Sequence, residues 1–291
     1  MTMTEATTTR TLDVPGATLT YDVRPATSGD DIPLFLIGSP MGAAGFGTLA
    51  SHFPDRTIIT YDPRGAERST KDDPTSASTP DQHADDVHRI IQEVGGPVDL
   101  FASSGGAVNA LALVAKHPED VRTSVADEPP LASVLPDSED AKAAVRAIQS
   151  SYQAGGFGAG MAHFMAITSH RGPFTAEVVA QQAPDPAMFG MPTDDDGNRT
   201  DVMLAQNIIG TTHYEPDFDA LADASTRIIL AAGAESEGEM ANRGGHAVAE
   251  RLGQQPVIFP SHHGGFLGGE YGWPGEPDAF ADKLRNVLEV D

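Results

Sequence analysis

Phe101-Ala102-Ser103-Ser104-Gly105-Gly106-Ala107 is the stretch on which the reading of the fold turns. It continues Val98–Ala102, a short apolar run suited to a strand buried on both faces. It leads into Ala107–His117, whose apolar residues suit a buried helix. A strand that passes straight into a helix through small-x-Ser-x-Gly must turn sharply. Small neighbours at both ends let the backbone bend without a clash, and the serine hydroxyl is left projecting from the carboxyl edge of the sheet. The helix N-terminus turns its positive end, beginning with the Gly105 N–H, toward the same place, where an oxyanion could form. Ala102 stands where this pattern usually has its first glycine.

Outward from this turn, strand and helix alternate. Thr11–Pro15 and Ala17–Val23 alternate in polarity around a Pro-Gly turn and predict an antiparallel hairpin. Pro33–Ile37 and Thr57–Tyr61 read as core strands, with a Gly-rich stretch and a helix through Leu49 and Phe53 between them. Thr79 and Gln82 have capping-box spacing, Pro80 suits the first helical position, and Ala84, Val87, Ile91 and Val94 recur at helical spacing. Thr123–Ala126 is a further strand. Such alternation predicts an α/β fold with a doubly wound, mostly parallel sheet. After Pro129-Pro130 the pattern changes to helices and loops: Ala144–Gln153, Met161–Thr168, Thr175–Gln182 and Val202–Ile209. It resumes with Arg227–Ala232, a helix near Ala241–Leu252, strand Pro256–Pro260 and a closing helix. Residues 1–130 and 223–291 therefore read as a core, and 131–222 as an inserted helical cap.

Composition narrows the partners. Asp and Glu number 42 against 18 Lys and Arg, a formal charge of −24, which repels nucleic acid and anionic membranes and leaves a small molecule as the expected partner. There is no cysteine, which excludes disulfides and thiolate chemistry. No apolar run has the length of a membrane span, and Met1–Arg10 has no apolar signal core and reads as a frayed tail, so the cytoplasm is the expected location. Neither a metal nor a cofactor is expected. Asp194-Asp195-Asp196-Gly197 lacks the spacing and closing glutamate of a calcium loop, and no Gly-x-Gly-x-x-Gly or Lys-Ser/Thr phosphate loop follows the first core strand.

On these motifs the chain resembles the α/β-hydrolase family over almost its whole length. Tyr61-Asp62-Pro63-Arg64-Gly65 with Ser69 is similar to the family's Asp-x-Arg-Gly-x-Gly-x-Ser turn, with Glu67 in place of a glycine. Gly38-Ser39-Pro40-Met41 takes the place of the His-Gly oxyanion loop. The resemblance implies Ser104 as nucleophile and Gly105 as one oxyanion donor. Pro40 has no N–H, so the second donor is the amide of Ser39 or of Met41. The loop after the last strand, Ser261-His262-His263-Gly264-Gly265-Phe266, is where the family carries its base. His263 fits, because a small residue and an aromatic follow it, and His262 is expected to face solvent.

The resemblance offers two places for the acid. Glu128, in Asp127-Glu128-Pro129-Pro130, is similar to the acid of zearalenone-type lactonases and is favoured. Glu235 lies one residue off the commoner register, which Ser236 occupies, and Asp127 ranks third. A serine in place of the aspartate of dehalogenases implies acyl transfer through an acyl-enzyme. Methionines and phenylalanines in the cap (Met161, Met165, Met188, Met191, Met203, Phe157, Phe164, Phe189) suit an uncharged, mostly apolar substrate. An ester or lactone is expected. A cofactor-free haloperoxidase or perhydrolase, a C–C hydrolase with the same triad, and a ligand-binding member with vestigial catalysis remain open.

Overall fold

The computed structural model describes residues 6–28 and 32–289. Strands β1 (Thr8–Val14) and β2 (Ala17–Arg24) form the expected hairpin, paired from Val14↔Ala17 outward, with Gly16 at φ 77° where Pro15-Gly16 turns. Strand β1 starts at Thr8, so the tail expected through Arg10 is shorter; Met1–Glu5 lie outside the described residues. Next come β3 (Leu34–Ile37), β4 (Ile58–Asp62), the two-residue β5 (Thr70–Lys71), β6 (Val98–Ser103), β7 (Val121–Asp127), β8 (Arg227–Gly233) and β9 (Val257–Phe259). The short β5, which pairs with β2, has no signal in the sequence.

Among the described residues the sheet has nine strands in the order β1-β2-β4-β3-β6-β7-β8-β9, with β5 beside β2. Strands β4, β3, β6, β7, β8 and β9 are mutually parallel; β2 meets β4 antiparallel. The chain passes from β3 to β4 on one side and from β6 to β9 on the other. The carboxyl ends of β3 and β6 therefore flank a topological switch point, where a doubly wound sheet opens a crevice.

Helices α1 (Gly47–Ser51), α2 (Pro80–Val94) and α3 (Gly105–Lys116) follow β3, β5 and β6. The capping box on α2 is complete: Gln82 N donates to Thr79 Oγ1 at 3.2 Å and Thr79 N to Gln82 Oε1 at 3.0 Å. One face of the sheet is covered by α2 and α3 through Val87, Ile90, Val108 and Leu111. The other face carries an aromatic cluster of Phe46, Phe101, Phe259, Phe266 and Phe280.

Between Asp127 and Arg227 the described residues contain helices and no strand. Helix α4 (Ser138–Thr168) is two helical stretches that meet at a kink at Gly156 (φ 79°, ψ −166°), in keeping with the two helices expected there. Gly156 breaks the helical dihedrals, and its missing Cβ leaves room for Asp195. Helix α5 (Ala176–Val179) is shorter than expected, and Val202–Asn207 is a π-helix leading into α6 (Ile208–Thr212). Helix α7 (Phe218–Asp223) ends the insertion; α8 (Met240–Arg251) and α9 (Pro277–Glu289) complete the core. The helices between β7 and β8 share a core with α8, in which Tyr152, Phe174, Leu204 and Met240 are buried and Met161, Phe164 and Met203 pack against them. No helix among the described residues is long and apolar enough to cross a membrane.

Candidate active site

Ser104 ends the turn from β6 into α3 with φ 56° and ψ −122°, a region that L-residues rarely enter. Two neighbours make the turn possible. A Cβ on Gly106 would lie 2.7 Å from the Ile37 carbonyl oxygen, and one on Gly105 would collide with the Ser39 carbonyl oxygen. Glycine at both positions lets the Ser104 turn press against the end of β3. Ala102, in the place of the usual first glycine, is fully buried.

Asp127 ends the strand beside β6 and is paired with Ser103, and the Ser104 N–H donates to the Asp127 carbonyl at 2.9 Å. Glu128, the next residue, is also at positive φ (48°). Ser104 and Glu128 thus leave adjacent strand ends in sharp, constrained turns. His263 arrives from the loop after β9, and its Nδ1–H donates to Glu128 Oε2 at 2.7 Å. That bond fixes the tautomer and leaves Nε2 to accept a proton.

Glu128 is completely buried. Its Oε1 accepts from Gly233 N at 2.8 Å, from Asn242 Nδ2 at 2.9 Å and from the Ser236 hydroxyl. Burial opposes the charge, but hydrogen bonds from His263, Ser236 and Asn242 and the imidazolium charge outweigh it and hold the carboxyl at about 2. Burial likewise opposes a charged His263, but the hydrogen bond and charge of Glu128, with the Glu239 charge beside it, raise its pKa above the ordinary value. Asp127 is different. Burial and the neighbouring Glu128 charge push its carboxyl well above the usual range, and its Oδ2 has no hydrogen-bond partner among the described residues.

Of the two acids left open, the structure brings Glu128 to His263 and leaves Glu235 away from it. The Glu235 side chain is exposed, while its backbone meets Ser261 and Arg171. Ser236, in the commoner register, instead supports Glu128. Ser236 and Asn242 were missed by sequence reasoning; the offset of Ser236 from Gly233 was the one available signal. Ser39 lies against Gly105, whereas Met41 packs over Gly38 and Gly45. Glu67, in the place of a glycine, keeps a glycine-like conformation at φ 47°.

Other expectations change. His262 is not simply solvent-facing: it stacks on Trp273 at 4.1 Å, its Nδ1 accepts from Gly264 N at 3.0 Å and its Nε2–H donates to the Pro274 carbonyl at 3.1 Å. It thereby staples the loop that presents His263. Among the cap residues expected near substrate, Met188 is 77% exposed, and Met161, Phe164 and Met203 pack in the core shared with α8. His88, His117 and Asp120 gather away from the site as the one group of three potential metal ligands among the described residues. The two rings stack at 3.8 Å, His88 Nδ1–H donates to Asp120 at 2.5 Å, and Gln92 occupies the other Asp120 oxygen. Stacked rings direct their lone pairs side by side rather than at one ion, so packing accounts for this group.

No protein-family model matches the chain. The uncharacterized hydrolase YraK of Bacillus subtilis (strain 168) is 29% identical over 297 residues, covering 97% of this chain and 96% of that protein. Among solved structures, E-2-(acetamidomethylene)succinate hydrolase superposes with a TM-score of 0.62 at 22% identity, over 98% of this chain and 100% of that one. A thermophilic esterase from Thermogutta terrifontis gives 0.64 at 17% identity, over 98% of each chain. N-acyl homoserine lactonase AidH complexed with N-butanoyl homoserine gives 0.56 at 18% identity, also over 98% of each. The chain has the α/β-hydrolase fold that these structures share.

Proposed function

We propose that this chain is a serine hydrolase that cleaves a carboxylic ester or lactone of an uncharged, mostly apolar small molecule through an acyl-enzyme. One observation carries the reading. The strained serine turn, at φ 56°, leaves the strand end beside Glu128, and Glu128 holds His263 at 2.7 Å. In this reading His263 Nε2 takes the Ser104 hydroxyl proton as Oγ attacks the carbonyl carbon. The oxyanion is met by the amides of Gly105 and Ser39. His263 then protonates the departing alcohol oxygen, and water, activated by the same imidazole, releases the acid. An esterase and a lactonase among the structural neighbours support ester or lactone chemistry. The helical insertion serves as a cap over the site, and the acidic chain works in the cytoplasm on its small molecule, without nucleic acid or membrane as partner.

Labelling with a fluorophosphonate tests the nucleophile. Intact-mass and peptide analysis should find one adduct per chain, on Ser104, and none on Ser104→Ala. A folded wild-type protein that takes no adduct would remove the acyl-enzyme reading.

A further inference from the structure

The helical insertion is tied to the loop that supports Glu128. Arg171 Nη2 donates to the Glu235 carbonyl at 2.7 Å and to Glu239 Oε1 at 3.1 Å, and Gly172 N donates to the Gly238 carbonyl at 2.9 Å. On either side of these contacts, Gly233, Ser236 and Asn242 are three of the donors to Glu128. Arg243, next to Asn242 in the first turn of α8, closes the joint. Its Nη1 donates to the Gly172 carbonyl at 2.9 Å, and its guanidinium forks onto both Asp137 oxygens. Asp137 Oδ2 also accepts from Phe174 N at 2.6 Å. The pair is largely closed off from water, with the two side chains 17% and 12% exposed. A planar fork of this kind fixes orientation as well as distance. Around it, Met240 enters the core shared with the insertion, and a Cβ on Gly244 would collide with the carbonyl oxygen of Pro129, the residue after Glu128.

We propose that Arg243 is a positioning residue: by locking α8 onto Asp137 and Gly172 of the insertion, it fixes the frame from which Asn242, Ser236 and Gly233 hold Glu128 against His263. The role deepens the hydrolase reading and rests on Ser104 and His263 being the reacting pair. Arg243 bonds to Asp137 and Gly172 rather than to either of these, and so acts through its neighbour Asn242. Insertion and acid share one joint, and a disturbance at the insertion's edge reaches the imidazole without touching substrate.

Arg243→Met in the full chain tests it, with p-nitrophenyl butyrate as substrate. Because that change leaves Asp137 without its partner, Arg243→Lys, which keeps the charge and loses the fork, decides if the first variant does not fold. In a folded variant kcat should fall about tenfold, the scale of coupling through a side-chain network. KM should stay within about twofold, since no substrate contact is lost. The acid limb of kcat/KM against pH reports His263 in the free enzyme. Glu128, Asp127 and Glu239 are the titratable groups facing His263, and Glu128 supports its charge most strongly. A loosened Glu128 should therefore move the limb to lower pH, by about half a unit. Loss of the Arg243 charge alone would move it the other way, and a purely structural role would leave it in place. A kcat within about twofold of wild type would overturn the proposal. So would a fall in kcat with the limb unmoved or raised, or a raised KM at unchanged kcat. Fluorophosphonate labelling of the wild type keeps the two questions apart. An adduct on Ser104 with an unmoved limb in the variant refutes the Arg243 role alone, whereas no wild-type adduct refutes the nucleophile.

Discussion

A carboxylate that orients an imidazole must stay ionised where water cannot reach it, and Glu128 meets that condition through four donors: His263, Gly233, Ser236 and Asn242. Glutamine in its place keeps the shape but loses the charge that stabilises the imidazolium, and it can present N–H to a nitrogen that needs an acceptor. We predict that Glu128→Gln lowers kcat by about 10³- to 10⁴-fold, the scale set by the corresponding change in a serine protease triad. Glu235→Gln, with its side chain in solvent, should stay within about twofold of wild type. Steady-state kinetics on p-nitrophenyl butyrate decides, and the reverse ranking would move the acid to the loop after β8. The same geometry explains what was legible at this scale. Ser104 and His263 announce themselves by local motif. Glu128 and Glu235 sit in equally plausible loops, and only a tertiary contact of 2.7 Å distinguishes them.

The site's loops are held together by aromatic rings beneath them. Phe101 lies three residues before Ser104, Phe266 three after His263, and Phe46 at the end of the segment that follows Ser39. Phe46 and Phe266 stack at 5.5 Å, and Phe101 meets Phe266 edge-on at 5.5 Å. Each such pair adds about 0.5–1.5 kcal/mol beyond area burial. Phe266→Ala should therefore destabilise by about 3–5 kcal/mol, measured by denaturant unfolding. Because the cavity opens under the His263 loop, kcat on p-nitrophenyl butyrate should fall as well. An unfolding free energy within 1 kcal/mol of wild type, on the scale of about 3–5 expected for a buried phenylalanine, would contradict the anchoring role. At this scale the sequence spoke unevenly. Capping residues Thr79 and Gln82 and the Pro15-Gly16 turn act within a few residues and were readable. The two helical stretches of α4 were readable as well, whereas the packing of Asp195 against the Gly156 kink was not, because it is long-range.

For the molecule as a whole, burying a second carboxylate beside an ionised one is expensive, and Asp127 is where this shows. Its carboxyl is buried beside ionised Glu128 and its pKa is raised. The sign follows from linkage. Below about pH 4 the group is protonated both folded and unfolded and costs nothing; as pH rises, the unfolded chain releases the proton while the folded one keeps it, so stability falls until the folded pKa is reached. Asp127→Asn removes the proton exchange and the penalty. Its unfolding temperature should match wild type near pH 4 and exceed it by a margin that widens toward pH 8. Parallel curves for the two proteins in scanning fluorimetry would show that Asp127 is ionised in the folded state. The charge also bears on partners, since a strongly acidic surface disfavours polyanions whatever the fold.

The sequence by itself determined the α/β class, the doubly wound sheet and the sharp turn that carries Ser104, because each depends on interactions within a few residues: burial of short apolar runs, a tight turn that small residues permit, a helix cap. The tertiary structure decided among residues distant in the chain. It placed Glu128 rather than Glu235 against His263, recruited Ser236 and Asn242 to support that carboxylate, turned His262 into a loop staple on Trp273, and left the Ser39 hydroxyl unpaired beside Gly105. Hydrogen bonds between side chains act over about 3 Å, and that proximity exists only once the sheet has brought the ends of β3, β6, β7, β8 and β9 to one edge.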